Sequence, residues 1–137
     1  MNINFWFNLG SYFYRKRIPI IPSICNAIIR FLFNSVVYSQ TKIGKECTFA
    51  YGGIAIVIHK NAVLGDGVTI SQNVTIGGRS GHKDVPKIGD NVYIGAGAKV
   101  LGPIYVGDNA IIGANAVVIS SVEPNSVVAG VPAKVIK

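Results

Sequence analysis

The chain has 137 residues, enough for one domain; half of them are hydrophobic and 14% are charged. The formal net charge is +7, but the basic residues are scattered and no nucleic-acid-binding motif is present. The charge therefore favours a phosphate-bearing ligand or an anionic membrane surface over nucleic acid. Two cysteines, Cys25 and Cys47, and two histidines in no zinc spacing exclude a disulfide framework and predict no metal site, as in a reduced cytoplasmic protein.

The N-terminal segment, residues 1–40, is apolar and aromatic, with a basic cluster at Arg15, Lys16 and Arg17. Pro19 and Pro22 predict that this segment divides into two short helices. Neither apolar run reaches the roughly 18 to 20 residues that a membrane span requires, and no signal-peptide cleavage site follows. Two interpretations stay open. The helices form a cap on the rest of the molecule or on a neighbouring subunit, or they lie on anionic lipid through the basic cluster.

Residues 41–137 repeat with a period of six residues. Ten aliphatic residues share one phase: Ile58, Leu64, Ile70, Ile76, Ile88, Ile94, Val100, Val106, Ile112 and Val118. A small or β-branched residue usually follows four positions later, at Ala62, Val68, Val74, Val92, Ala98, Ala110, Ala116 and Val122; Ile104 is the bulky exception. Three such hexads make one triangular coil, in which the aliphatic residue points inward and Gly, Asp or Asn occupies the corners. The sequence therefore predicts an all-β, parallel β-helix behind a short helical segment.

Two stretches interrupt the repeat. Between Ile43 and Ile58 three residues are extra, and Gly52-Gly53 lies in this break. Between Ile76 and Ile88 the phase is kept, but residues 78–86 are polar and rich in glycine. We expect this second stretch to leave the coil as a loop, the usual place for a site on a rigid solenoid.

Four segments of the repeat region, residues 56–65, 73–78, 88–102 and 128–136, resemble the hexapeptide-repeat acetyltransferases, in particular the serine acetyltransferase-like branch. The resemblance covers residues 41–137 and implies a left-handed coil, against the usual right-handed crossover. It also implies a homotrimer with acetyl-CoA in the outer groove between two subunits. A histidine would take the proton from the acceptor hydroxyl. The N-terminal part looks more like short members found with polysaccharide biosynthesis.

The resemblance gives two candidates for the base, His82 in the polar loop and His59 after the inward Ile58. Many relatives carry a histidine where this chain has Tyr51, and a tyrosine is a poor base near neutral pH. Tyr51 can still orient a hydroxyl by hydrogen bonding.

For acetyl-CoA the resemblance implies mostly backbone contacts. Gly78 would offer an N–H near the thioester, and Ala96 and Ala114 would lie along the pantetheine arm. Lys134, together with Lys137, would meet the CoA phosphates.

The acceptor is predicted from what the chain lacks. Serine acetyltransferases bind the charged groups of an amino acid through a pair of charged side chains. By the resemblance, Ala50 and Asp84 occupy the corresponding positions here. The sequence therefore predicts a sugar or glycan hydroxyl, bound by hydrogen bonds from Tyr51, Ser80, Lys83 and Asp84. Serine as the acceptor, and a catalytically silent trimeric scaffold, are the alternatives. The expected location is the cytoplasm, at the inner face of the membrane if the basic segment touches lipid.

Overall fold

The computed structural model describes residues 1–137. Two helices open the chain, α1 (Ile3–Arg15) and α2 (Ile20–Leu32). The side chain of Asn2 caps α1 by accepting a hydrogen bond from the Asn4 N–H at 2.9 Å. The predicted division into two short helices is confirmed, with the break between Arg15 and Ile20, and Pro22 lies in the first turn of α2. A first-turn N–H has no acceptor within its own helix, so proline is tolerated there.

The two helices form a hairpin that covers one end of the β-helix. Ile3, Phe7, Ile29 and Phe33 are buried and join the hydrophobic core of the coils. The outer face of the hairpin stays apolar and open, with Phe31 84% and Ile20 69% exposed. Neither helix has the length and apolar content that a membrane-spanning segment needs.

Short strands stack into three walls. Wall A consists of β1 (Val36–Val37), β4 (Val57–Ile58), β7 (Thr75–Gly77), β10 (Lys99–Leu101) and β13 (Val117–Val118). Wall B consists of β2 (Lys42–Ile43), β5 (Val63–Leu64), β8 (Lys87–Ile88) and β11 (Tyr105–Val106). Wall C consists of β3 (Thr48–Phe49), β6 (Thr69–Ile70), β9 (Tyr93–Ile94), β12 (Ile111–Ile112), β14 (Val127–Ala129) and β15 (Lys134–Val135). All pairs are parallel except β14 and β15, where the chain turns back on itself.

The walls wind into the predicted left-handed β-helix. All ten in-phase aliphatic residues are at most 3% exposed, so the six-residue phase marks the inward positions. The register confirms the stacking: Ile58 lies beside Ile76, and Val100 lies between Ile76 and Val118. The first strand, β1, begins at Val36, inside the segment that the sequence assigned to the helices.

The corner between walls B and C explains the recurring Gly-Asp-Asn sequence. Asp66, Asp90 and Asp108 form a ladder, because each carboxylate accepts from the backbone N–H of the coil before it at 2.7–2.8 Å. The following Asn91 and Asn109 have positive φ of 55° and 63°. Asparagine tolerates this left-handed conformation better than most residues, so one side chain stabilises the next coil and the other turns the chain.

The three extra residues of the first coil form a short 3₁₀ turn, Ala50–Gly52. Tyr51 has φ 53° and ψ 30°, in the left-handed region. A Cβ on Gly53 would meet the side chain of Ile3, so this turn packs closely under the start of α1. The break in the repeat is therefore where the coil adapts to the helical cap.

Candidate functional site

A cavity of about 500 Å³ opens on wall A at its edge with wall B. Its lining includes Tyr38, His59, Lys60, Gly77 and Gly78. The register of β4 and β7 pairs Ile58 with Ile76, so the outward residues that follow them, His59 and Gly77, are neighbours in adjacent coils. The cavity thus brings together two residues predicted for the site, His59 and Gly78.

Gly77 and Gly78 are unlike the corner glycines elsewhere. A Cβ on Gly95 would lie 2.7 Å from the Ala114 backbone nitrogen, and one on Gly65 would lie 2.8 Å from the Gly89 carbonyl carbon. On Gly77 the nearest atom would be 3.7 Å away, and on Gly78 3.9 Å away. Neither Gly77 nor Gly78 has a positive φ. The fold therefore does not demand glycine at 77 and 78, and their missing side chains keep the cavity open.

Gly78 also offers an unused hydrogen-bond donor. Its backbone N–H donates to no acceptor within the chain, whereas the N–H of the preceding-coil residue His59 donates to the Ile76 carbonyl at 2.8 Å. A free N–H beside an open cavity is the feature that a developing oxyanion requires.

His59 is half-buried, and hydrogen bonds fix both its backbone and its ring. In addition to its backbone bond, its ring Nδ1 accepts a hydrogen bond from the Asn61 N–H at 3.0 Å. The remaining ring nitrogen, Nε2, is not engaged by the chain. The imidazole is therefore oriented by the local turn with one nitrogen free for a ligand.

His82 lies outside this cavity on an exposed loop. Residues 78–84 are exposed, and the chain returns to the core at the buried Val85 and Pro86. The His82 N–H donates to the Arg79 carbonyl at 3.0 Å, closing a turn in which Gly81 has φ 84°. Ser80, Lys83 and Asp84 share the loop and its exposure, so the structure brings these four predicted residues together.

The other candidates lie at different places on the prism. Tyr51 is 76% exposed at the corner between walls C and A, and does not line the cavity. Ala96 and Ala114 stack at the same C–A corner, where the Asn115 N–H donates to the Ala96 carbonyl at 2.8 Å. Lys134 is exposed on the returning strand β15. Gly78 and the two alanines thus flank wall A on opposite edges.

A larger cavity, of about 710 Å³, lies between α1 and the first coil, with Arg15, Lys45, Cys47 and Asp66 in its lining. It carries no histidine. Burial raises the pKa of the Cys47 thiol, and its Sγ donates to the Gly65 carbonyl at 3.3 Å, which leaves a poor nucleophile. No group of three or more His, Cys, Asp or Glu side chains is placed to hold a metal ion.

Residues 86–120 match the family described as bacterial transferase hexapeptide (six repeats). The Brucella abortus serine acetyltransferase structure superposes with a TM-score of 0.88 at 34% identity, over 96% of this chain and 54% of that one. Residues 86–120 thus carry the hexapeptide repeat of this transferase family, and 96% of the chain is similar to a serine acetyltransferase. A serine acetyltransferase complexed with CoA gives a TM-score of 0.85 at 34% identity, over 96% of this chain and 54% of that chain.

Curated relatives agree with these structures. The serine acetyltransferase of Staphylococcus xylosus is 38% identical over 135 residues, which cover 96% of this chain and 62% of the relative. That of Synechococcus elongatus is 37% identical over 130 residues, covering 93% of this chain and 53% of the relative. The chain therefore spans only about half to two thirds of the length of these family members.

The predicted glycan acceptor is wrong. The similar family members are named serine acetyltransferases, and their matches extend over 96% of the chain, including the helical hairpin that we likened to polysaccharide-associated members. The prediction failed because it treated the loss of the family's charge pair at two positions, Ala50 and Asp84, as the absence of an amino-acid site. Opposite charges are present at neighbouring positions of the exposed loop, in Arg79, Lys83 and Asp84.

Proposed function

We propose that this chain transfers the acetyl group of acetyl-CoA to the hydroxyl of serine. The observation that carries the proposal is the open corner at Gly77 and Gly78, where the fold does not require glycine and the Gly78 N–H is unpaired. The names of the similar family members support acetyl transfer and serine as the acceptor.

The reaction needs a donor for the carbonyl oxygen and a base for the hydroxyl proton. The Gly78 N–H suits the first need, because a backbone donor is fixed before reaction and stabilises negative charge as it develops. His82 suits the second, because an imidazole nitrogen can accept a proton and a side chain on an exposed loop can approach an acceptor hydroxyl. The serine oxygen bonds to the acetyl carbon, the carbon–sulfur bond breaks, and CoA leaves as the thiolate.

Serine would be recognised by the loop that carries His82. Lys83 can pair with the amino-acid carboxylate and Asp84 with its ammonium group, while Ser80 and, from the C–A corner of a neighbouring chain, Tyr51 can add neutral hydrogen bonds. Lys60, in the lining of the cavity, is a further cation on the same side.

Acetyl-CoA fits the chain only if two copies meet. An extended pantetheine arm in a groove parallel to the prism axis touches one corner of each prism. Gly78 lies at the A–B corner, and Ala96 and Ala114 lie at the C–A corner. These residues can therefore contact the same pantetheine arm only if Gly78 belongs to one chain and the two alanines belong to its neighbour. We propose a homotrimer with wall A toward the threefold axis, and Lys134 near the CoA phosphates.

The outward side chains of wall A support this orientation. They include Val36, Val57 and Val117, and the one lysine among them, Lys99, is tied to the Asn73 carbonyl at 2.7 Å. Wall B instead presents Lys42 and Lys87. An apolar wall with its charge engaged is suited to an interface.

We also propose that the outer face of the helical hairpin contacts anionic lipid. Residues 1–40 carry four basic and no acidic side chains, next to exposed apolar residues such as Ile20 and Phe31. Flotation with phosphatidylserine-containing vesicles should capture the protein, and an Arg15→Gln, Lys16→Gln, Arg17→Gln variant should stay behind. Equal binding to neutral vesicles would contradict the proposal.

The test of the function is release of CoA thiol from acetyl-CoA by the purified protein. We expect turnover with serine, and far less with ethanolamine or 3-hydroxypropionate, each of which keeps the hydroxyl but lacks one charged group. Thiol release that is independent of serine, or absent with every acceptor, would contradict it.

A further inference from the structure

We propose that His59 is a fixed hydrogen-bond donor of the transfer site, and not its base. The proposal rests on the function proposed above, and assigns to His59 a role different from the one that the sequence predicted for it.

The contact that decides the role is the hydrogen bond from the Asn61 N–H to His59 Nδ1, at 3.0 Å. A backbone N–H is always a donor, so Nδ1 must present its lone pair. The neutral imidazole then carries its proton on Nε2. Acting as a base through Nε2 would need the other tautomer, in which Nδ1–H would face the Asn61 N–H and the hydrogen bond would be lost.

The free Nε2–H belongs to a side chain that lines the same cavity as Gly77 and Gly78. His59 follows the inward Ile58 and is therefore outward, and its neighbour in the next coil, Gly77, has no side chain to cover it. The cavity thus has two donors on its lining, His59 Nε2–H and the Gly78 N–H. Two fixed donors are the usual composition of an oxyanion hole.

The transfer balances without a proton moving through His59. The serine oxygen attacks the thioester carbon, and the carbonyl oxygen takes the negative charge while accepting hydrogen bonds from Nε2–H and the Gly78 N–H. When the carbonyl re-forms, the carbon–sulfur electron pair leaves with CoA. The serine proton goes to another base, for which His82 is the candidate, and His59 stays neutral throughout.

Two substitutions of His59 distinguish a hydrogen-bond donor from a general base. In His59→Gln the amide nitrogen falls near the position of Nε2 and keeps an N–H, whereas His59→Leu has a similar size and no donor. We expect His59→Leu to lower kcat by roughly 100- to 1,000-fold, the usual cost of one oxyanion donor, with a smaller change in the KM for serine. His59→Gln should keep kcat within about tenfold of the wild type. Equal losses in both variants would overturn the proposal.

A second measurement needs no turnover. Long-range ¹H–¹⁵N correlation of the imidazole at a pH where His59 is neutral should show Nε2 protonated and Nδ1 bare. His59→Gln, which lacks the ring, assigns the signals. A protonated Nδ1 would overturn the proposal. If the protein failed to acetylate serine but His59 showed the expected tautomer, the proposed function would fail while the geometry behind this inference would stand.

Discussion

Two kinds of corner occur in the β-helix, and they look alike in the sequence. At Gly95 the next coil leaves no room for a side chain, so glycine is a requirement of stacking. At Gly77 and Gly78 there is room, and yet the chain has two glycines, a free N–H and a cavity. A glycine that packing does not explain is therefore the better sign of a site than the many glycines that packing does explain.

The comparison extends to the histidines. His59 is held at the edge of a rigid wall by three hydrogen bonds, while His82 lies on a loop that is exposed over several residues. The proposed donor is rigid and the proposed base lies on a separate loop, which is a sensible division, since an oxyanion hole needs preorganisation and a base must follow the acceptor hydroxyl.

The largest expected effect comes from a substitution that disrupts the proposed trimer, between whose chains acetyl-CoA is proposed to bind. Val57→Lys, on the outward face of wall A, should convert the proposed trimer to monomers and remove turnover, because a lysine buried in the proposed interface would lack a partner. Sedimentation equilibrium measures the mass. The matched control is Tyr105→Lys on wall B, where the ring already lies 5.5 Å from the Lys87 ammonium and is 61% exposed. A trimeric Val57→Lys variant would contradict the orientation of wall A.

Removing the proposed base should cost nearly as much. His82→Ala should lower turnover with serine by at least about 100-fold while leaving the melting temperature unchanged, because the side chain is exposed. The thiol-release assay and a thermal melt check the two parts. Ser120→Ala, exposed at the same kind of corner in the last coil, serves as the control. Full activity in His82→Ala would place the base elsewhere.

The glycine comparison itself can be tested by a pair of identical changes. Gly78→Ala should leave the free energy of unfolding within about 0.5 kcal/mol of the wild type and lower turnover by roughly tenfold or more, because the new methyl group borders the reacting carbonyl. Gly95→Ala should destabilise the protein by about 1–3 kcal/mol, because its Cβ meets the backbone of the next coil. Chemical denaturation and thiol release measure both. A destabilised Gly78→Ala variant would remove the distinction.

The smallest expected effect concerns the cysteines. Burial raises the pKa of the Cys25 and Cys47 thiols above the ordinary value of 9.0, so both should stay protonated and unreactive toward a thiol reagent at pH 8 in the native protein. The folded state thus holds these protons more tightly than the unfolded chain, and the stability that they contribute should decline as the pH rises above about 9. Rapid labelling of native protein would contradict this.

The sequence was sufficient for the β-helix because its signal is redundant. Ten aliphatic residues share the same six-residue phase, and all ten are buried. The extent of the helices was harder, because Pro22 is compatible with the first turn of α2, and β1 is too short to show a period.

The site was only partly predictable. The loop and the two candidate histidines are visible in the sequence, but the role proposed for His59 depends on a hydrogen bond from Asn61, two residues away, that no sequence pattern records. Likewise, the glycines at 77 and 78 differ from their counterparts only in what surrounds them. The acceptor was mistaken because charges on an irregular loop have no fixed position relative to a family pattern.

The most direct measurement is a titration of the ¹⁵N-labelled protein with acetyl-CoA, followed by the backbone amide signals. We predict the largest shift at Gly78, with smaller shifts at His59 and at Ala96 and Ala114, and none at Gly65. Shifts confined to the cavity between α1 and the first coil, around Arg15 and Lys45, would contradict the claim that the open corner is where the thioester binds.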